Sequence, residues 1–206
     1  MDAVILVDLQ NDFLPGGGLG VPAGDEVIPV ANRLLKQFQL VVATQDWHPV
    51  NHVSFAANHP GRSVGDKVEL NGLPQVLWPV HCVQNTHGAR LAAGLHGSRI
   101  LRVFPKGTDP LIDSYSGFFD NGHLKSTGLG EFLRSKGVHD CYILGLATDY
   151  CVKFTALDAR AYDLDTYLVL DGCRGVELTV GDVEESIEEM AKAGVKVVNS
   201  HEVAEE

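Results

Sequence analysis

Residues 141–161 read CYILGLATDYCVKFTALDARA and carry the pattern that decides the fold. An apolar run at 142–144 stops at Gly145, a short turn follows, and Cys151 opens a helical pattern. A thiol at a helix start lies beside unpaired backbone N–H groups and the positive end of the helix dipole, which favour the thiolate and lower the cysteine pKa. The same N–H groups can bind a developing oxyanion. Taken alone, such a cysteine is more often structural, so the rest of the chain must decide its role.

Apolar runs alternate with helical patterns along the chain. The runs predict strands at residues 3–7, 40–44, 100–104, 141–146, 167–170 and 195–198, and the helical patterns lie at 27–39, 128–136, 150–161 and 180–193. Near-continuous apolar strands separated by helices predict an α/β fold, a doubly wound parallel sheet with helices on both faces. We expect one domain over residues 1–206. A Pro-, Gly-, Asn- and His-rich excursion at about 46–97 interrupts the alternation and is long enough to be functional.

The composition narrows the class of protein. The 206 residues are 45% hydrophobic and carry a formal net charge of −11 with no Lys/Arg block, which argues against nucleic acid or an anionic membrane as partner. No charged-then-apolar leader opens the chain, and no apolar run approaches the roughly 18 residues of a membrane span. The 4 cysteines show no paired spacing, so we expect a reducing, cytoplasmic location.

Polar side chains follow the first four predicted strands. They are Asp8, Asp46 with His48, Lys106, and the turn that leads to Cys151. The carboxyl ends of parallel strands form one edge, where ligands bind. This set suits nucleophilic acyl transfer: Cys151 attacks, Asp8 takes its proton, and Lys106 holds the anionic partners. A carboxylate can deprotonate a thiol only if the site raises its own pKa or lowers that of the thiol, and the sequence leaves this open.

The excursion contains a second cluster. Asp46 and His48, two residues apart on an extended segment, project to the same side and suit ligation of a first-row metal. With His81 as a third ligand, the metal would keep open coordination positions for water or substrate, as a catalytic site requires.

Aromatic residues lie near these groups in the sequence. Phe13, Trp78 and Tyr115 each stand close to a candidate polar residue, although each alone is more often a core residue. Together they predict a flat aromatic ligand held between rings.

Six segments together resemble a known family. VDLQNDFLPGG, TQDWHPVNHVSFA, WPVHCVQNT, FPKGTDPLIDSYSGFFDN, GLATDYCVKFTALDA and DGCRGV are similar to segments of the nicotinamidases (pyrazinamidases) of the isochorismatase-like cysteine hydrolase family. The resemblance covers nearly the whole chain. It implies a six-stranded parallel sheet flanked by helices, and hydrolysis of nicotinamide to nicotinate and ammonia, or of pyrazinamide to pyrazinoate, within NAD salvage.

The resemblance also implies roles for individual residues. Asp8, Lys106 and Cys151 match the catalytic triad, and the N–H groups of Ala147 and Cys151 match the oxyanion hole. Phe13 and Trp78 match the ring-stacking positions, and Tyr115 lies near the pocket. The metal ligands of the family match Asp46, His48 and His81. A cis peptide bond is expected before Ala147. The expected cofactor is a divalent metal, Zn²⁺ first, with Fe²⁺ or Mn²⁺ also suited to the ligands. His52 stays open as a fourth ligand or as a group contacting the ligands.

Other functions remain open at this point. An amidohydrolase of the same fold acting on another amide or an N-carbamoyl compound would show the same triad. A non-catalytic binding module on this scaffold is a third interpretation, since fold alone does not decide function. The sequence also leaves a homo-oligomer open.

Overall fold

The computed structural model describes residues 1–203 and contains a six-stranded parallel sheet. The strands are β1 (Asp2–Val7), β2 (Leu40–Asp46), β3 (Lys67–Leu70), β4 (Leu73–Val76), β5 (Arg102–Lys106), β6 (Asp140–Leu146), β7 (Asp165–Arg174) and β8 (Lys196–Val198). The sheet order is β5-β2-β1-β6-β7-β8, and β3 and β4 form a separate antiparallel hairpin. The predicted α/β class with a six-stranded parallel sheet is therefore confirmed. The last three residues of the predicted domain, 204–206, lie outside the described part.

Helices cover the sheet. They are α1 (Val27–Gln37), α2 (Leu129–Ser135), α3 (Lys153–Ala161) and α4 (Asp182–Lys192). In α1 the buried residues Val27, Ile28, Ala31, Leu34 and Leu35 follow the helical period, so one stripe of the helix faces the core. Within residues 1–203, no helix is both long and apolar enough to cross a membrane.

Both faces of the central strands are covered. Every residue of β1 after Asp2 is buried, and in β2 only Gln45 is partly exposed. Because successive side chains of a strand point to opposite faces, continuous burial requires packing on both sides. The apolar runs of the sequence were therefore a reliable sign of central parallel strands.

The helix predicted at 150–161 begins later than expected. Residues Thr148–Val152 form a π-helical turn, and the regular α-helix starts at Lys153. The N–H of Val152 donates to the carbonyl of Ala147 at 3.0 Å, which gives the wider π-helical spacing. Cys151 thus lies in this turn and not at the first residue of an α-helix.

Two further elements differ from the sequence prediction. Strand β7 extends beyond the predicted 167–170, because its pairing with β6 runs from Asp165 to Arg174. The β3–β4 hairpin inside the excursion was not predicted. Its turn is Asn71-Gly72, and both residues have positive φ, at 53° and 80°. Asn-Gly is a strong hairpin signal, so the sequence did contain this element.

Gly145 permits a close approach between β6 and β1 at the edge of the sheet that bears Asp8. Its φ is +134°, and a Cβ atom there would lie 2.1 Å from the carbonyl oxygen of Val7, the residue before Asp8. An added methyl group therefore cannot fit unless one strand moves.

We expect Gly145→Ala to lower the free energy of unfolding by about 3 kcal/mol, because the new Cβ overlaps backbone and cannot rotate away. Urea denaturation would measure the change. Gly97→Ala is the matched control, since an added Cβ there has no atom within 4 Å. Equal unfolding midpoints for the two variants would contradict the prediction.

Candidate active site

The sheet order brings four strand ends together. Strands β5, β2, β1 and β6 are neighbours, and their carboxyl ends carry Lys106, Asp46, Asp8 and the turn containing Cys151. Asp46 and Lys106 are direct register partners between β2 and β5. The expected meeting of these polar side chains at one edge of the sheet is what the structure shows.

Lys106 lies at the centre of this group and is fully buried. Its Nζ lies 2.9 Å from Oδ2 of Asp8 and donates to Sγ of Cys151 at 3.3 Å and to the carbonyl of Ser114 at 2.8 Å. It also donates to Oδ1 of Asp46. Burial alone would lower the pKa of Lys106, but the carboxylates of Asp46 and Asp8 outweigh it and hold the pKa well above its usual range. The side chain is therefore a permanent ammonium.

Asp8 and Cys151 are both shifted by burial. Burial raises the pKa of Asp8, against the lowering effect of Lys106. Burial also raises the pKa of the Cys151 thiol well above its usual value, and Lys106 only partly offsets this. The expected lowering of the cysteine pKa by a helix N-terminus is thus wrong for this arrangement, because desolvation dominates. Asp8 is thus a stronger base than an ordinary carboxylate, and the Cys151 thiol is a weaker acid than an ordinary thiol, because burial disfavours the charged form of each.

The backbone around Cys151 is held in place by Ala147. The Leu146–Ala147 peptide bond is cis, as expected from the family resemblance. The carbonyl of Ala147 accepts the N–H groups of Tyr150 and Val152 at 3.1 and 3.0 Å, which folds the turn around Cys151. Ala147 and Cys151 both line the cleft.

Asp46, His48 and His81 form a cluster with the geometry of a metal site. Oδ2 of Asp46 lies 3.4 Å from Nε2 of His48 and 3.6 Å from Nε2 of His81. Two ligand atoms bound tetrahedrally at about 2.1 Å from a metal are about 3.4 Å apart, so the spacing fits. One carboxylate and two imidazoles are also a donor set that suits first-row divalent metals.

The two histidines are oriented by backbone carbonyls. Nδ1 of His48 lies 2.9 Å from the carbonyl of Gly107, and Nδ1 of His81 lies 2.8 Å from that of Pro79. A carbonyl only accepts, so each Nδ1 carries a hydrogen, and each Nε2 faces Oδ2 of Asp46. Gly107 is required for this approach, because a Cβ there would lie 2.3 Å from Cε1 of His48.

His52 lies outside this three-residue cluster. Its Nδ1 lies 2.7 Å from Oγ of Ser54 and its Nε2 lies 3.3 Å from the carbonyl of Ile112. Its ring packs against that of His48 at 4.2 Å. Burial, and then His48, lower the pKa of His52 to about 4, so it is neutral at neutral pH. A second grouping of His48, His52 and Asp113 also lies within 4.8 Å.

An aromatic cleft opens above these groups. Phe13 packs against His81 at 5.5 Å, and Nε1 of Trp78 donates to Oη of Tyr115 at 3.3 Å. All three predicted aromatic residues line the cleft, together with the predicted residues Asp46, His48, His81, Ala147 and Cys151.

Comparison with known proteins identifies the family. The model of the Isochorismatase domain matches residues 2–202. The nicotinamidase of Escherichia coli (strain K12) is 50% identical over 196 residues, which cover 93% of this chain and 92% of that protein. The chain belongs to the isochorismatase family.

Solved structures of isochorismatase-family members share the fold closely. A nicotinamidase/pyrazinamidase of Acinetobacter baumannii has a TM-score of 0.96 at 42% identity, covering 98% of both chains. The pyrazinamidase of Pyrococcus horikoshii, solved in complex with zinc, has a TM-score of 0.78 at 40% identity, covering 96% of this chain and 98% of that one.

Sequence reasoning missed four residues that line the cleft: Leu19, Asp113, Tyr150 and Val176. Two of them adjoin residues that were singled out, since Tyr150 precedes Cys151 and Asp113 lies two residues before Tyr115. Tyr150 meets Trp78 edge-on at 4.7 Å. Their proximity in the sequence to Cys151 and Tyr115 was the available signal for Tyr150 and Asp113.

The other two missed residues, Leu19 and Val176, reach the cleft because carboxylates hold their loops. Asp12 accepts the N–H groups of Gly18 at 3.1 Å and of Cys82 at 2.7 Å, which ties the glycine-rich loop to the segment after His81. Asp149 accepts the N–H groups of Val176 and Glu177 at 3.0 and 2.7 Å. Three of these four bonds join residues at least 27 positions apart, so sequence spacing could not place Leu19 and Val176 at the cleft.

We expect His81→Ala to weaken Zn²⁺ binding by at least about 100-fold, because it removes a ligand whose orientation is already set. Equilibrium dialysis of the metal-stripped protein against Zn²⁺ would measure this, with about one ion per chain in the wild type. His139→Ala, which changes an exposed histidine, is the control. Unchanged affinity in His81→Ala would rule out the three-residue site.

Proposed function

We propose that this protein is a nicotinamidase, an amidohydrolase that converts nicotinamide to nicotinate and ammonia and pyrazinamide to pyrazinoate. The observation that carries the proposal is the meeting of two clusters in one aromatic cleft. Sγ of Cys151 lies 3.3 Å from Nζ of Lys106, which lies 2.9 Å from Asp8, and Asp46 joins Lys106 to the two histidines. The nicotinamidases of E. coli and A. baumannii support the substrate assignment.

A divalent metal fits the second cluster. Asp46, His48 and His81 would hold it, and we infer Zn²⁺, with Fe²⁺ or Mn²⁺ suited to the same ligands. The zinc complex of the P. horikoshii pyrazinamidase supports this choice. A metal held by these three residues would supply a Lewis acid for the ring nitrogen of the substrate and would so help to orient the ring.

The aromatic residues hold the substrate ring. Phe13 and Trp78 provide apolar walls, with Tyr115 alongside, and place the carboxamide carbon over Cys151. Exclusion of water from this buried cleft strengthens the electrostatic interactions of the reacting groups.

The chemical steps use the triad. Asp8 accepts the thiol proton of Cys151 as sulfur forms a bond to the carboxamide carbon, and Lys106 holds both anions in place. The oxyanion of the tetrahedral intermediate is bound by the N–H groups of Ala147 and Cys151. Asp8 then gives its proton to the departing nitrogen, and the C–N bond breaks. Ammonia departs, and the acyl group of the substrate remains bound to Cys151 as a thioester. Water, deprotonated by Asp8, cleaves the thioester to release nicotinate, and the proton returns to the thiolate.

The wider setting follows from this activity. We infer that the chain acts as one domain over residues 1–206, with the excursion at about 46–97 supplying the metal ligands and Trp78. The reaction feeds NAD salvage. Three further statements stay predictions: the protein is cytoplasmic, it has no nucleic-acid or membrane partner, and it forms a homo-oligomer.

An amidohydrolase acting on another amide or an N-carbamoyl compound is the second candidate, because its triad would be the same. The metal cluster favours nicotinamide, since a pyridine nitrogen is a metal ligand and an aliphatic amide lacks one. A non-catalytic binding module is disfavoured by the connected set of Asp8, Lys106 and Cys151.

We expect ammonia release from nicotinamide and pyrazinamide, and little from an aliphatic amide such as propionamide, when the three are assayed in parallel with the metal-loaded protein. Propionamide has no aromatic ring to pack between the aromatic walls and no ring nitrogen for the metal. Fastest release from propionamide would favour the second candidate, and no release from any amide would favour the binding module.

We expect Cys151→Ala to retain less than about a thousandth of the wild-type rate of ammonia release from nicotinamide, because covalent catalysis needs the thiol. Cys141→Ala is the matched control, since Cys141 is equally buried but contacts Thr166 at the opposite end of the sheet. A Cys151→Ala rate close to that of the control would rule out a cysteine nucleophile.

A further inference from the structure

Thr44 makes two hydrogen bonds to the catalytic candidate Asp8. Thr44 lies on β2, fully buried, beside the end of β1. Its Oγ1 donates to Oδ1 of Asp8 at 2.6 Å, and the backbone N–H of Asp8 donates to the same Oγ1 at 3.2 Å. One hydroxyl thus contacts both the main chain and the side chain of Asp8.

The two bonds determine where the hydroxyl proton points. Because Oγ1 accepts the N–H of Asp8, its single proton is left for Oδ1. Asp8 itself has a φ of 49°, in the left-handed region, so its backbone is held where few residues other than glycine lie. The pair of bonds stabilises this backbone and fixes the rotation of the carboxylate in one arrangement.

The arrangement leaves Oδ2 for the reaction. Oδ2 of Asp8 lies 2.9 Å from Nζ of Lys106, and the carboxylate lies within 4.8 Å of Sγ of Cys151. In the reaction this carboxylate must take a proton from the thiol and return it to the departing nitrogen. Both transfers depend on an oxygen that stays in hydrogen-bond reach of the reacting atoms.

Thr44 is itself held by packing. A Cβ atom added at Gly117 would lie 2.5 Å from Cγ2 of Thr44, so the methyl group of Thr44 rests directly on this glycine. A β-branched side chain so confined has one accessible χ1 rotamer. The hydroxyl is therefore aimed at Asp8 by the shape of the core.

We propose that Thr44 is a positioning residue for the reaction: its hydroxyl holds Oδ1 of Asp8, so that Oδ2 carries the proton between Cys151 and the leaving nitrogen. The inference rests on the proposed function, since it needs Asp8 to be the base. It assigns a task to a buried polar side chain that neither contacts the substrate nor belongs to the triad or the metal cluster.

The test compares Thr44→Val with Thr44→Ser in steady-state hydrolysis of nicotinamide by the metal-loaded protein. Val keeps the shape and removes the hydroxyl, whereas Ser keeps the hydroxyl. We expect Thr44→Val to lower kcat roughly 10- to 100-fold with KM within about twofold of wild type, a part of the usual contribution of a general base. We expect Thr44→Ser to restore kcat to within about threefold of wild type.

The control is Thr166→Val, which removes another fully buried threonine hydroxyl. Thr166 lies on β7, and its hydroxyl donates to the carbonyl of Leu164 at 3.0 Å. Its kcat should stay within about twofold of wild type. If Thr44→Val does not accumulate in folded form, Thr44→Ala against Thr44→Ser isolates the hydroxyl in the same way.

Two results would overturn the inference: an unchanged kcat in Thr44→Val, whether or not KM rises, or an equal loss of kcat in the Ser and Val variants. The last would show that activity responds to any change of packing at this position, since Val keeps the methyl group and Ser keeps the hydroxyl. Each of these is read against an active wild type. An inactive wild type would instead overturn the proposed function, so the two failures are distinguishable.

Discussion

The buried ammonium of Lys106 is the interaction on which the rest of the site depends. It lies among Asp8, Asp46 and Cys151, away from water, and burial alone would favour its neutral form. The carboxylates keep it charged, and the ammonium in turn keeps two carboxylates side by side. Removing one partner of such a buried set leaves an uncompensated charge, at a cost of about 3–5 kcal/mol. Lys106 and its buried partners therefore stabilise one another only as a complete set.

Lys106 also connects the two clusters of the site, through its contact with Asp46. Asp46 contacts Lys106 through one oxygen and faces the histidines through the other, so a single carboxylate belongs to both clusters. The register of β2 against β5 places these two residues opposite each other. In the proposed mechanism, the groups that orient the substrate and the group that attacks it are consequently held in a fixed relation by a rigid sheet, as precise positioning requires.

Much of this could be predicted from the chain. Six apolar runs predicted the parallel sheet, and polar residues after four of them predicted where Asp8, Asp46, Lys106 and Cys151 would meet. Other features needed coordinates. The sequence suggested a lowered pKa for Cys151, but burial dominates and raises it, and burial raises the pKa of Asp8 as well. Helix dipoles follow from local sequence, whereas desolvation depends on everything packed around a group.

The sequence by itself determined the fold class and the chemistry of the strand ends, because hydrophobic period and residue type are local properties of the chain. The tertiary structure alone decided the ring orientations of His48 and His81, the place of His52 outside the three-residue cluster, and the contact of Thr44 with Asp8. These are hydrogen bonds whose partners are set by the packing of strands and loops. Their distances and directions cannot be read from the order of residues along one strand, since each joins atoms placed by different parts of the fold.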